Sequence, residues 1–147
     1  MRLTVHSDYS LRVLIFLAAK QGEMATITEI AKAYGISRGH LMKVVHELAG
    51  LGYVATTRGR KGGLTLGKPP DAIRVGEVVR RTEESLALVE CFSRGSREGG
   101  CTIDGACRLK GMLAEALRAF FVVLDGYTLA DIVKGRAAPL TRLLKMA

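Results

Sequence analysis

Thr28-Glu29-Ile30-Ala31-Lys32-Ala33-Tyr34-Gly35-Ile36-Ser37-Arg38-Gly39-His40-Leu41-Met42-Lys43-Val44-Val45-His46-Glu47-Leu48 is the stretch on which the fold turns. Thr26 or Thr28 can start a short helix through Ile30, Ala31 and Ala33, and Gly35 breaks it. Ser37 is suited to cap the next helix. Leu41, Val44, Val45 and Leu48 then recur at helical spacing and share one face, until Gly50 and Gly52 end the run. Helix, short glycine turn, helix is the helix-turn-helix pattern. On the second helix Gly39, His40, Lys43 and His46 point away from the apolar face, with Arg38 near the N-terminal end. A recognition helix needs that division: one face packed, the other free for base edges and phosphates. An ordinary amphipathic surface helix has the same division, so the flanking segments carry the decision.

Downstream, Tyr53–Arg58 is rich in β-branched residues and predicts a strand. Gly59-Arg60-Lys61-Gly62-Gly63 is a turn, and Leu64-Thr65-Leu66 a returning strand. Arg58, Arg60, Lys61 and Lys68 have no acidic neighbours to offset them. A helix-turn-helix followed by a basic, glycine-rich hairpin predicts a winged helix, whose tip can approach phosphates or the minor groove. The candidate DNA contacts are therefore Ser37, Arg38, His40 and Lys43 on the helix and Arg58, Arg60 and Lys61 on the wing. Upstream, Ser7 is suited to cap a first helix running to about Lys20, with Leu11, Leu14, Ile15 and Ala18 on one face.

Charge supports this reading. The 147-residue chain carries a formal +8, and residues 1–68 hold ten Lys/Arg against four Asp/Glu. Residues 69–147 hold twelve against ten. A basic first half beside a nearly neutral second half suits an anionic partner, with double-stranded nucleic acid ahead of a membrane surface. The longest strictly apolar run, Val13–Ala19, is far short of the roughly 20 residues of a spanning helix. With no leader pattern at the N-terminus, the expectation is a cytoplasmic protein with no membrane partner. The sequence has no nucleophile–base arrangement, phosphate loop or paired acid/base motif, so an enzyme is not expected.

Pro69-Pro70 divides the chain into a winged helix-turn-helix domain, 1–68, and a second region, 69–147. The fold class expected is mainly α with a small β-hairpin wing. Ile73, Val75, Val78 and Val79 suggest a helix to about Thr82, and Leu86–Val89 an extended piece. A long helix follows from about Arg108 to Leu124, with Leu109, Leu113, Ala116, Leu117, Phe120, Phe121 and Leu124 on a broad apolar face. So apolar a helix on a small protein needs a partner. A homodimer is the economical answer, matched to a palindromic operator, and packing within one subunit is the alternative. Asp125-Gly126 stops the helix, and Thr128–Val133 suggests a last short one.

Cys91, Cys101 and Cys107 are the only cysteines, and all lie within seventeen residues. An odd number in a reducing compartment argues for metal or redox chemistry over a disulfide framework. The spacing C-x9-C-x5-C does not match zinc ribbons or fingers, whose ligand pairs sit two to four residues apart. Thiolates suit an iron–sulfur cluster and also zinc, and thiol oxidation stays open beside them. A fourth ligand could come from Glu90, Glu98 or Asp104 nearby, or from His6 or Asp8 in the first helix. Asp8 is equally explained as an acid favoured by the helix dipole.

The chain resembles the Rrf-type winged-helix transcriptional regulators of bacteria over essentially its whole length. The resemblance is carried by Ser7-Asp8-Tyr9-Ser10-Leu11-Arg12, Gly35-Ile36-Ser37, Gly52-Tyr53-Val54 and, most characteristically, Arg58-Gly59-Arg60-Lys61-Gly62-Gly63. Leu88-Val89-Glu90-Cys91-Phe92, Cys107-Arg108-Leu109-Lys110 and Asp125-Gly126-Tyr127-Thr128-Leu129-Ala130-Asp131-Ile132 are similar to the family's nitric-oxide-sensing repressors. That resemblance implies one 4Fe–4S cluster per subunit, with 2Fe–2S as the alternative, on Cys91, Cys101 and Cys107. It also implies Asp8 of the other subunit as fourth ligand, and loss of DNA affinity when nitric oxide attacks the cluster. A sister branch that senses cluster status through a 2Fe–2S centre has a His where this chain has Lys110. The ten-residue step from Cys91 to Cys101 is longer than in those relatives. Iron supply, cluster status or peroxide are rival signals on the same fold, and a zinc- or thiol-based regulator is a further rival.

Overall fold

The computed structural model describes residues 2–59, 62–93 and 101–145. Helix α1 spans Val5–Ala19, α2 Ile27–Tyr34 and α3 Arg38–Gly50. Thr26 caps α2 in a reciprocal box with Glu29: its hydroxyl accepts from the Glu29 N–H, while the Glu29 carboxylate accepts from the Thr26 N–H at 2.6 Å. Gly35 closes α2 at φ +65°, in the left-handed region where a side chain is costly. Ser37 then caps α3. The expected helix-turn-helix is thus built from local chain chemistry.

Strands β1 (Val54–Thr57) and β2 (Gly63–Leu66) pair antiparallel, Val54 opposite Leu66 and Thr57 opposite Gly63. Ala25 adds a third rung, exchanging both backbone hydrogen bonds with Leu64 at 3.0 and 2.7 Å. The wing is therefore tied to the connector between α1 and α2. Beneath it lies the core: Val13, Leu14, Phe16 and Leu17 of α1, Ile30 of α2, Leu41, Val44 and Leu48 of α3, with Tyr53 and Leu64 from the hairpin.

The first helix is capped differently from the sequence reading. Thr4 is its N-cap, accepting from the Ser7 N–H at 3.2 Å. Ser7 lies inside the first turn, fully buried, where its Oγ accepts from the Thr82 hydroxyl at 2.9 Å. A partner 75 residues away decides the role of Ser7, and local sequence carries no sign of it.

Beyond the wing, a short 3-10 turn at Pro70–Ala72 leads into α4 (Val75–Thr82), whose Val78 joins the core with Ile73. Helix α5 is Arg108–Asp125, followed by α6 (Leu129–Val133) and α7 (Ala137–Leu143). Helix α6 begins with a second capping box, Thr128 and Asp131, and returns to pack on α1, so Leu129 enters the same core. Helix α7 is not expected from the sequence, which suggests Thr128–Val133 as the last helix. Pro139 is the third residue of the helix, in the first turn, where a missing N–H costs no helical hydrogen bond.

Helix α5 is joined to α4 at its C-terminal end. Arg80 donates two hydrogen bonds of 2.6 Å to the Asp125 carboxylate and stacks 4.1 Å from the Phe121 ring centroid. The Arg74 guanidinium donates to the Asp125 carbonyl at 2.8 Å. Gly76 makes the approach possible: a Cβ there would collide with the Asp125 carboxylate.

Candidate DNA surface and thiol site

Ser37, Arg38, His40 and Lys43 are all exposed along one side of α3, while Leu41, Val44, Val45 and Leu48 are buried on the other. The Ser37 hydroxyl accepts from the His40 N–H at 3.3 Å, so its cap also fixes where the exposed face begins. Arg58, directly after β1, is exposed as well. Arg60 and Lys61 lie outside the described residues. The acid of α3 reaches towards α1: Glu47 Oε2 stands 2.7 Å from His6 Nε2. The outer face of α3 carries Arg38 and Lys43, with the single acid of the helix, Glu47, at its edge beside Lys43 and His46.

The three cysteines lie between α4 and α5. Cys91 sits in the 3-10 turn Glu90–Phe92, Cys101 is exposed, and Cys107 immediately precedes α5. All three are free thiols and none is fully buried. Lys110, one turn into α5, is paired with Asp104 at 2.6 Å. Asp104 raises the Lys110 pKa above its ordinary value, and Cys91 and Cys107 add to the effect, which puts this cation in the field of both thiols.

As a donor set the thiols fit an iron–sulfur centre in kind: three soft, free sulfurs, none fully buried. One chain by itself does not gather them. Among the described residues, no three His, Cys, Asp or Glu side chains stand close enough together to hold one metal ion.

Asp8 is in the first turn of α1, its side chain 46% exposed. Its carboxylate accepts from the Arg12 Nε at 3.1 Å and lies 2.9 Å from a second Arg12 nitrogen. Arg12 in turn lies 5.7 Å from the ring centroid of Tyr34 in α2. Burial pushes the Tyr34 phenol up to about 12, so it stays neutral beside this pair. The same turn of α1 reaches two other places. The Thr4 N–H donates to Glu83 at 2.7 Å, at the exit of α4 towards Cys91, and His6 meets Glu47 of α3. Sequence reading missed Arg12, Glu47 and Glu83. The i,i+4 spacing of Asp8 and Arg12 was legible; the other two pairings are long-range.

Helix-turn-helix, β-hairpin wing and a cationic outer face on α3 define a DNA-binding transcriptional regulator. The model for the Rrf2 family, described as iron-dependent transcriptional regulator, matches residues 3–135, and the chain belongs to that family. The HTH-type transcriptional regulator NsrR of Bacillus subtilis (strain 168) is 52% identical over 147 residues, 99% of each chain. NsrR of Bacillus licheniformis is 53% identical over 134 residues, 90% of this chain and 92% of that protein. The structure of T. potens IscR superposes with a TM-score of 0.71 at 25% identity, over 92% of this chain and 88% of that one. These relatives are regulators of transcription, not enzymes. Among the described residues no helix is long and apolar enough to cross a membrane.

Proposed function

We propose that the chain is a homodimeric repressor that binds a palindromic operator and releases it when nitric oxide reaches an iron–sulfur cluster. The cluster is 4Fe–4S, one per subunit, held by Cys91, Cys101 and Cys107, with Asp8 of the other subunit as fourth ligand. The observation that carries the reading is the thiol set: all the cysteines of the chain, free and none fully buried, next to the helix suited to dimerisation. When bound, the cluster supplies iron centres reactive towards nitric oxide.

The remaining parts belong to the protein. Asp8 is exposed enough to be offered to a second subunit, and its partner within the chain is Arg12, itself 43% exposed. The turn that bears Asp8 also grips Glu83 and Glu47, so a pull on Asp8 acts on α3 through His6 and on the cysteine segment through Thr4. Two recognition helices serve one operator only when separated by about 34 Å, the helical repeat of DNA, and a shift of a few ångströms spoils that match.

Anaerobic native mass spectrometry of the reconstituted dimer, before and after nitric oxide, tests the reading beside a DNA-binding assay. Iron and sulfide should be counted on the dimer, and the gas should abolish binding. Cys91→Ala, Cys101→Ala and Cys107→Ala should each lose the metal, and a variant keeping full iron removes that cysteine from the ligand set. Asp8→Ala should retain some iron but lose control of DNA binding. The family description favours a second reading, in which iron supply itself is the signal. DNA binding that follows iron and ignores nitric oxide would decide for it.

A further inference from the structure

The outer face of α3 carries two residues that the fold has no use for. Met42 is 57% exposed, although the helix has a well-filled apolar face on its other side. Gly39, one turn earlier, is exposed, and a Cβ built there would meet nothing within 4 Å. Gly39 is the second residue of α3, in its first turn, and neither internal crowding nor a left-handed φ requires a glycine there. A lone exposed apolar side chain is unremarkable. The position of this one is not. Met42 lies between Arg38 and Lys43, on the same side as Gly39 and His46, while Glu47 reaches towards His6.

Cations around an apolar centre, with a bare backbone beside it, is the arrangement expected of a surface that reads base edges. Flanking charges hold phosphates, and the centre meets what is apolar in the major groove, which is the 5-methyl group of thymine. We infer that Met42 is a specificity-determining residue that packs on a thymine methyl in each half-site, and that Gly39 lets the helix approach closely enough for it to do so. This rests on the proposed use of α3 as recognition helix.

The test uses the full-length, anaerobically reconstituted protein and duplexes that it enriches from a random library. Each thymine of an enriched duplex is replaced in turn by uracil, which removes only the methyl group. At one position per half-site wild-type affinity should fall about fourfold, the value of burying one methyl group, and about fifteenfold when both half-sites are changed. Met42→Ala should bind the thymine duplex as weakly as wild type binds the uracil one, and be indifferent to the replacement. Gly39→Ala should lower DNA affinity without lowering the melting temperature, which a purely structural glycine would not do.

Indifference of wild type to every uracil, absence of thymine from the enriched half-sites, or an undiminished uracil effect in Met42→Ala would each overturn the assignment. If no duplex is enriched, the recognition-helix reading falls and Met42 with it. Enrichment without a methyl effect removes the Met42 role alone.

Discussion

Helices α3 and α5 are both amphipathic, yet they use their apolar residues in opposite ways. The 13-residue α3 buries Leu41, Val44, Val45 and Leu48 inside its own chain and turns cations outward. The 18-residue α5 fully buries only Phe121. Its Leu113, Leu117, Phe120 and Leu124 lean half-buried towards its own chain, whereas Leu109, Met112, Ala116, Ala119 and Val123 are exposed. Those five follow a 3-4-3-4 spacing, the seam of a two-stranded coiled coil. One helix is completed by its own chain; the other holds a stripe that only a second helix can cover. The proposed dimer rests on that difference.

The comparison predicts unequal responses to mutation. Leu48→Ala, at a fully buried site, should lower the unfolding free energy by about 2–5 kcal/mol in a urea titration, because the core cannot close the gap. A cost below about 1 kcal/mol would mean that α3 is not held by its core face. Met112→Asp combined with Val123→Asp should leave the fold intact by circular dichroism but yield monomers in sedimentation. DNA affinity should then fall about 100-fold or more as the two half-sites cease to be joined. A dimer that survives both changes would place the interface elsewhere.

Gly76→Ala probes the point where α4 and α5 meet. The added methyl collides with the Asp125 carboxylate, so a loss of about 1–3 kcal/mol is expected, with weaker DNA binding as α5 is displaced. Ser37→Ala should cost about 1 kcal/mol, the value of an N-cap.

The smallest effect concerns the Arg80–Asp125 pair. The Arg80 guanidinium holds the Asp125 carboxyl below the ordinary carboxylate range. Because the folded pKa is depressed, the pair contributes above the unfolded value of about 3.9 and its contribution is lost as pH falls through the folded one. Arg80→Ala should return Asp125 to the ordinary range in an NMR titration. An unmoved Asp125 would mean that the helix junction is held by Arg74 alone.

Most of the DNA-binding half was legible in the sequence because its signals are local. Thr26 with Glu29, Gly35 and Ser37 act on residues one turn away, and Leu41 to Leu48 announce their face by spacing alone. The errors arose where a residue answers to a distant one. Ser7 reads as a cap by type and serves instead as a buried partner of Thr82. The apolar face of α5 reads as one broad surface, and the structure divides it into a side facing its own chain and an exposed stripe.

The sequence by itself determined the helix-turn-helix and the hairpin, since caps, turns and periodicity follow from covalent neighbours. Tertiary structure decided which side of α5 stays exposed, how Asp125 docks at Gly76, and that the first turn of α1 links Asp8, Glu47 and Glu83. Those outcomes depend on packing between segments up to 79 residues apart, as Thr4 is from Glu83, and no local pattern encodes them.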